Sequence, residues 1–258
     1  FNLLNIGMGK TLDFRILPQP TETTCGPTCL HAVYQYYGDH MSLGKLIDEI
    51  PRLKEGGTLA VMLGCHALKR GYSARIYTYN LHMFDPTWFL HPETDLKRYI
   101  AAQKKTKRNK KLKLASDVYI EFLERGGQIV FEDLTPSLLR KYIGKDKPVL
   151  TGLSATYLYR SAREIGETNE YNSIAGDPSG HFVVLAGHDK NMKNLLVADP
   201  FHLNPFAGSN YYWVDIQRVI SSILLGIVSY DANLLIIEPG NNDNGGGGGK
   251  MRTRRKKS

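Results

Sequence analysis

The sequence predicts an α+β fold, with a helical lobe packed against an antiparallel sheet. Three observations predict it. Helical periodicity dominates the first half of the chain. Short alternating or apolar runs bounded by turns dominate the second. A hydrophobic content of 42% over 258 residues belongs to a globular protein and supports one large core or two smaller ones.

The elements follow in order. Leu12 to Leu17 reads as a short strand leading into Pro18. From Thr28 to Tyr37 the pattern is helical, with Leu30, Val33, Tyr34 and Tyr37 on one face, and Gly38-Asp39 stops it. Met41 to Ile50 is a second helix, capped by Ser42. Thr58 to Arg70 is a third, carrying Leu59, Met62, Leu63 and Leu68 and ending before Gly71. Ala74 to Tyr79 alternates as a strand. Residues 86–102 and 114–125 read as helices separated by a solvated basic loop, Ile129 to Phe131 as a strand, and Thr135 as the cap of a helix with Leu138, Leu139 and Tyr142 inward. Pro148 to Leu153 is an apolar, buried strand. His181 to Ala186, Asn194 to Ala198, Tyr211 to Val214 and Asn233 to Ile237 complete the sheet. Val219 to Val228 is the best apolar run and is too short to span a membrane, so it reads as a core helix running into a strand. No repeat of fixed period is visible.

Charge is unevenly spread. The net charge is +8, yet Lys97 to Lys113 holds nine Lys or Arg and Lys250 to Lys257 holds six, neither with an acid. With those fifteen set aside, 18 basic residues face 25 acidic ones, so the body is mildly acidic with two basic appendages. Residues 241–258 read as a flexible Gly-rich linker and basic tail behind residues 1–240, the expected single domain. Such runs suit an acidic partner or substrate, or act as a solubilising end. Neither is interleaved with the aromatics of a single-strand binding platform, so nucleic acid is not expected. The five glycines read as a linker. The first ten residues lack a signal-peptide core, and Met8 is a candidate start.

Cys25, Cys29 and Cys65 are an odd set without a disulfide pattern, which points to a reducing cytoplasm. Zinc is a weak alternative: Cys25, Cys29, Cys65 and His66 make four ligand types, but no second CxxC pair accompanies them. No cofactor is expected. Cys29 lies one turn after Cys25 and reads as core.

Candidate chemistry centres on Gln19-Pro-Thr-Glu-Thr-Thr-Cys25-Gly-Pro-Thr-Cys-Leu. Gly26-Pro27 opens a helix, because Pro is favoured in a first turn. Cys25 therefore sits where unpaired N–H groups and the helix dipole favour an anion, the setting of a nucleophilic thiolate. The other reading is a small apolar residue buried at a helix start. A nucleophile needs a base and a group to orient it. His181 opens an apolar strand, Asn191 lies in the following turn region, and Asp199 ends the returning strand before Pro200. Taken singly, His181 is a strand-end histidine and Asp199 a turn-forming Asp-Pro. His188 is the most plausible substitute base, ahead of His202 and His66.

The Cys25 segment, followed by Gly180-His181-Phe-Val-Val-Leu and then Ala198-Asp199-Pro200, resembles the double-glycine (bacteriocin-processing) peptidases among the papain-like cysteine peptidases. The resemblance implies a papain-like fold, with 86–125 as a helical insertion. It implies Cys25 as nucleophile, His181 as base, Asp199 as its orienting carboxylate and Gln19 as an oxyanion donor. Thr24 stands where the family has Asp, and Pro27 also departs. No Walker A pattern or membrane segment accompanies the peptidase pattern, so a stand-alone soluble relative is expected. The implied function is cleavage of a peptide or amide bond through an acyl-enzyme. The alternatives are an acyltransferase or transglutaminase-like amide-forming enzyme on the same triad, and a non-catalytic peptide-binding module.

Overall fold

A computed structural model of the chain describes residues 8–240, apart from 54, 55, 167, 169, 207 and 231. The tail 241–258, expected to be flexible, lies outside the described residues.

The strands are β1 (Met8–Thr11), β2 (Tyr72–Thr78), β3 (Gln128–Val130), β4 (Val149–Ser154), β5 (Glu164–Ile165), β6 (Glu170–Tyr171), β7 (Gly180–Asp189), β8 (Asn194–Ala198), β9 (Tyr211–Asp215) and β10 (Asn233–Pro239). The helices are α1 (Cys25–Tyr36), α2 (Leu43–Glu49), α3 (Ala60–Lys69), α4 (Leu96–Thr106), α5 (Lys110–Glu124), α6 (Pro136–Ile143), α7 (Ala155–Tyr159) and α8 (Ile216–Leu225). The main sheet runs β3-β2-β10-β4-β7-β8-β9, with β1 pairing with β7, while β5 and β6 form a separate hairpin. Only β2–β3 is parallel among these pairs, so the expected antiparallel α+β layout is observed.

Alternation along β7 divides the core between the two faces of the sheet. Phe182, Val184 and Ala186 join the cluster built on α1, α3 and α5. Val183 and Leu185 join the cluster built on α6 and α8. Helix α1 is buried without interruption from Cys25 to Tyr34, so it is a core helix and not a surface stripe. Its polar groups are paired internally: Thr28 Oγ1 donates to Thr24 O at 2.8 Å, and His31 Nε2 lies 2.9 Å from Met41 O. Gly26 lets the start of α1 pack closely. A Cβ there would meet Thr58 Cγ2 at 2.5 Å and Phe182 Cδ2 at 3.2 Å.

Four expectations need correction, one being the strand at the end of Val219–Val228, where a 3₁₀ turn, Gly226–Ser229, follows α8 instead. The first strand lies at Met8–Thr11, not at 12–17. Leu12, Phe14 and Ile16 alternate because they are buried, but after Leu12 N donates to Ala186 O the chain leaves β7, and alternation without a neighbour makes no ladder. The helix expected over 86–102 is a short 3₁₀ turn, Pro86–Phe89, followed by α4. Pro92 explains the break, since the residue before a proline is disfavoured in the helical region. The basic stretch is largely helical: α4 runs to Thr106, and Asn109 accepts from Leu112 N at 3.0 Å to cap α5. Lys and Arg are good helix formers. Lys97, Arg98, Lys105, Lys107, Arg108 and Lys110 are exposed.

The close approach at Gly26 yields a prediction. Gly26→Ala overpacks the α1 start against Thr58 and Phe182 and lowers stability by about 1–3 kcal/mol, measured by urea unfolding. Unchanged stability would contradict this packing.

Candidate active site

Cys25 is the first residue of α1, placed there by the turn before it. Thr24 Oγ1 donates back to Thr21 O at 2.9 Å and accepts from Thr21 N at 3.0 Å. That hydroxyl is occupied with the turn, and α1 has no side-chain cap. Because Pro27 has no N–H, the first-turn donors are those of Cys25 and Gly26. The helix N-terminus is thus left open beside the thiol.

His181 approaches from β7. It pairs in register with Leu153, near the end of β4, where the strand reaches the cleft. Its Nε2 lies 2.8 Å from Asp199 Oδ1, which leaves Nδ1 for the Cys25 side. Cys25 lines the same cleft as the ring. Burial alone would favour the neutral ring. The Asp199 charge, then Cys25, and the hydrogen bond to Asp199 outweigh it and raise the His181 pKa to about 10. Phe201 and Tyr159 flank the ring, with centroids 6.2 and 6.1 Å away.

Asp199 follows the last residue of β8 and is fully buried. Besides His181, Oδ1 accepts from Phe201 N at 2.9 Å. Oδ2 accepts from Tyr159 Oη at 2.7 Å and from Tyr212 Oη. Burial pushes this carboxyl up, but the His181 charge and the bonds from His181, Tyr212 and Tyr159 bring it below the usual range. Both tyrosine hydroxyls are pushed well above theirs, first by burial and then by the Asp199 charge.

Gln19 lies in the same cleft as Cys25 and His181. Its backbone N–H donates to Pro200 O at 2.8 Å, pinning this segment to the Asp199-Pro200 corner. Its Nε2 donates to Thr21 O at 3.0 Å, which leaves a second amide hydrogen. All four expected residues therefore converge. The substitute bases do not. His188 sits near the far end of β7, bonded to Asp189 O at 2.8 Å, and His202 is exposed in a turn. His66 is held between Tyr34 Oη at 2.8 Å and Glu49 Oε2 at 3.0 Å. No cluster of three or more metal-ligating side chains occurs among the described residues, so the four candidate zinc ligands do not assemble. Cys29 bonds to Phe182 O at 3.3 Å and burial drives its thiol pKa well up, while Cys65 is raised to about 12 for the same first reason.

Sequence reasoning missed Tyr159 and Tyr212. Tyr159 ends α7, a five-residue helix too short for periodicity to reveal. Tyr212 was legible in principle: it is the inward residue of a strand and faces Val197, two residues before Asp199.

No family model matches the chain, and no curated protein matches it. Three of the solved structures similar to it carry the names of peptidases. One is the double glycine motif protease of an AMS/PCAT transporter in complex with the leader peptide, with 14% identity over 90% of this chain and 96% of that one, and a TM-score of 0.45. Another is the peptidase domain of Streptococcus ComA, a bi-functional ABC transporter involved in quorum sensing, with 17% identity over 87% and 98% and a TM-score of 0.41. A third is a C39-like peptidase from Bacillus anthracis, with 15% identity over 89% and 97% and a TM-score of 0.47. Likenesses this distant leave the roles of the side chains to their own geometry. No helix among the described residues is long and apolar enough to cross a membrane.

The bonds around Asp199 yield a pH prediction. A carboxyl lowered by folding contributes stability above its unfolded value, about 3.9, and loses it as pH falls through the folded value. Tyr159→Phe and Tyr212→Phe each remove a bond to that carboxylate, at a cost of about 1.5–3 kcal/mol. Both move the acid-unfolding midpoint, followed by circular dichroism, to higher pH. An unmoved midpoint would show that the hydroxyls do not support the charge.

Proposed function

We propose that the chain is a cysteine peptidase or amidohydrolase that cleaves a peptide or amide bond through an acyl-enzyme. The observation that carries this reading is the meeting in one cleft of an uncapped helix N-terminus, the Cys25 thiol and the His181 ring, with a buried Asp199 bonded to the ring from behind.

In this mechanism Cys25 gives its proton to His181 Nδ1, forming a thiolate–imidazolium pair. Asp199 holds Nε2–H and stabilises the imidazolium, as in triads generally. The thiolate attacks the carbonyl carbon. The Cys25 N–H and the second Gln19 amide hydrogen receive the oxyanion, an interaction of the kind worth about 3–4 kcal/mol per donor. The tetrahedral species collapses, the C–N bond breaks, and His181 protonates the departing amine. His181 then takes a proton from water, which attacks the thioester and releases the acid and the thiol.

A primary amine in place of water would give an amide-forming transferase on the same residues. The catalytic unit covers residues 1–240, with 86–125 as a helical insertion and 241–258 as a tail. Its free thiols fit a reducing compartment, the cytoplasm.

The first test is thiol reactivity. Only a thiolate reacts quickly, so iodoacetamide at neutral pH alkylates Cys25 at least ~10-fold faster than Cys29 or Cys65, by peptide mapping. Labelling of Cys65 with Cys25 inert would refute the reading. Peptide-library cleavage that Cys25→Ala abolishes marks an enzyme and not a binding module. Product masses with added glycine amide separate hydrolysis from transfer.

A further inference from the structure

The cleft beside Cys25 carries two carboxylates that the reaction above does not use. Glu22 stands on the turn leading into α1 and Glu164 on β5, and both line the cleft with Gln19, Cys25 and His181. Neither is in an ion pair among the described residues. Glu164 is half-buried. Its carboxyl is held above the usual range, first by burial and then by the Glu22 charge, against the lowering effects of Ser179 and of the His181 charge.

Tyr171 stands directly across the hairpin from Glu164, with 61% of its surface exposed. Burial and then the charges of Glu164 and Glu22 raise its hydroxyl pKa, so the three groups share one neighbourhood. Lys111 also lines the cleft but holds its ammonium 4.8 Å from the Tyr230 ring centre.

A separate observation points the same way. Gln19, 9% exposed, lines this cleft and leaves Oε1 without a hydrogen-bond partner among the described residues. Two like charges in one cleft, one half-buried, oppose each other's ionisation, and the His181 charge, committed to Asp199, relieves this only in part. Carboxylates bind ammonium and guanidinium groups through charge-assisted bonds, and an exposed aromatic face adds cation–π attraction. A solvated acidic rim would account for Glu22 alone, but not for a half-buried Glu164 beside it.

We propose that Glu22 and Glu164, with the Tyr171 ring, form a subsite for a basic side chain, lysine or arginine, of the peptide that Cys25 attacks. The subsite rests on the peptidase reading and narrows its substrate class. Lys111 of the basic helix α5 brings one charge of the opposite sign to the same cleft.

The test uses acetyl-tripeptide chloromethyl ketones, identical except for one position that is Lys, Ala or Glu in turn. The Cys25 thiolate displaces chloride to form a thioether, followed by intact mass and normalised to the rate with uncharged iodoacetamide. At one position Lys is expected to react at least ~10-fold faster than Glu, a modest demand on two carboxylates at close range. Glu22→Gln with Glu164→Gln, both isosteric, reduces that ratio to within about twofold, and Glu22→Gln alone, on the exposed turn, reduces it partway.

If Cys25 is alkylated with no Lys preference at any position, the subsite is wrong and the peptidase reading stands. A preference that survives the double substitution undiminished also overturns the assignment. If none of the peptides alkylates Cys25 while iodoacetamide does, the peptidase reading itself falls, and the subsite with it.

Discussion

A fully buried carboxylate organises this molecule. Asp199 has no exposed surface and is held as an anion, a state that is costly in a protein interior unless partners surround it. The partners come from four segments: His181 from β7, Tyr159 from α7, Tyr212 from β9 and the Phe201 N–H from its own turn. Two further bonds fix the backbone, with Asp199 N donating to Asn210 O at 2.8 Å and Asn210 Nδ2 donating to Asp199 O at 2.5 Å. Removing one partner of such a group leaves a buried charge uncompensated, so these contacts are strongly interdependent. The charge then becomes useful at His181, whose ring it holds in place and keeps protonated.

The second half of the site depends on a helix that is core in every direction. Because α1 is buried from Cys25 to Tyr34, its axis is fixed by packing on Phe182 and the α3 side, and its N-terminus cannot drift. The turn through Thr21 and Thr24 spends its hydroxyl on itself, so the helix dipole and the first N–H groups stay open to the cleft. Gln19 links both halves, since its N–H is tied to Pro200 while it lines the same cleft as Cys25. Geometry at the thiol is therefore set by the same corner that holds Asp199.

Much of this was legible in the sequence because the relevant signals are short-range. Gly26-Pro27 marks a helix start, and Asp199-Pro200 marks a strand end. The apolar run after His181 marks a buried strand with an ionisable group at its mouth. The unread parts needed tertiary information. Leu12, Phe14 and Ile16 alternate for burial without a ladder, so pattern alone misplaced a strand. The basic run read as solvated, but its lysines sit on helices whose opposite faces bury Ile100, Leu112 and Tyr119. Tyr159 emerges only once α7 is seen beside Asp199, and the pairing of Glu164 with Tyr171 only once the small hairpin closes.

The central claim is that His181 is a cation at neutral pH, held so by Asp199 on Nε2, with Cys25 in the same cleft. Titration of the histidine ring by ¹⁵N NMR measures this directly. The account predicts an imidazolium at pH 7 that loses its proton only well above the ordinary histidine range of about 6.5, toward about 10. It also predicts a titration displaced downward in Cys25→Ser, where the Cys25 contribution is missing. A His181 ring that is neutral at pH 7 in the unmodified protein, or one whose titration is the same in Cys25→Ser, would contradict it.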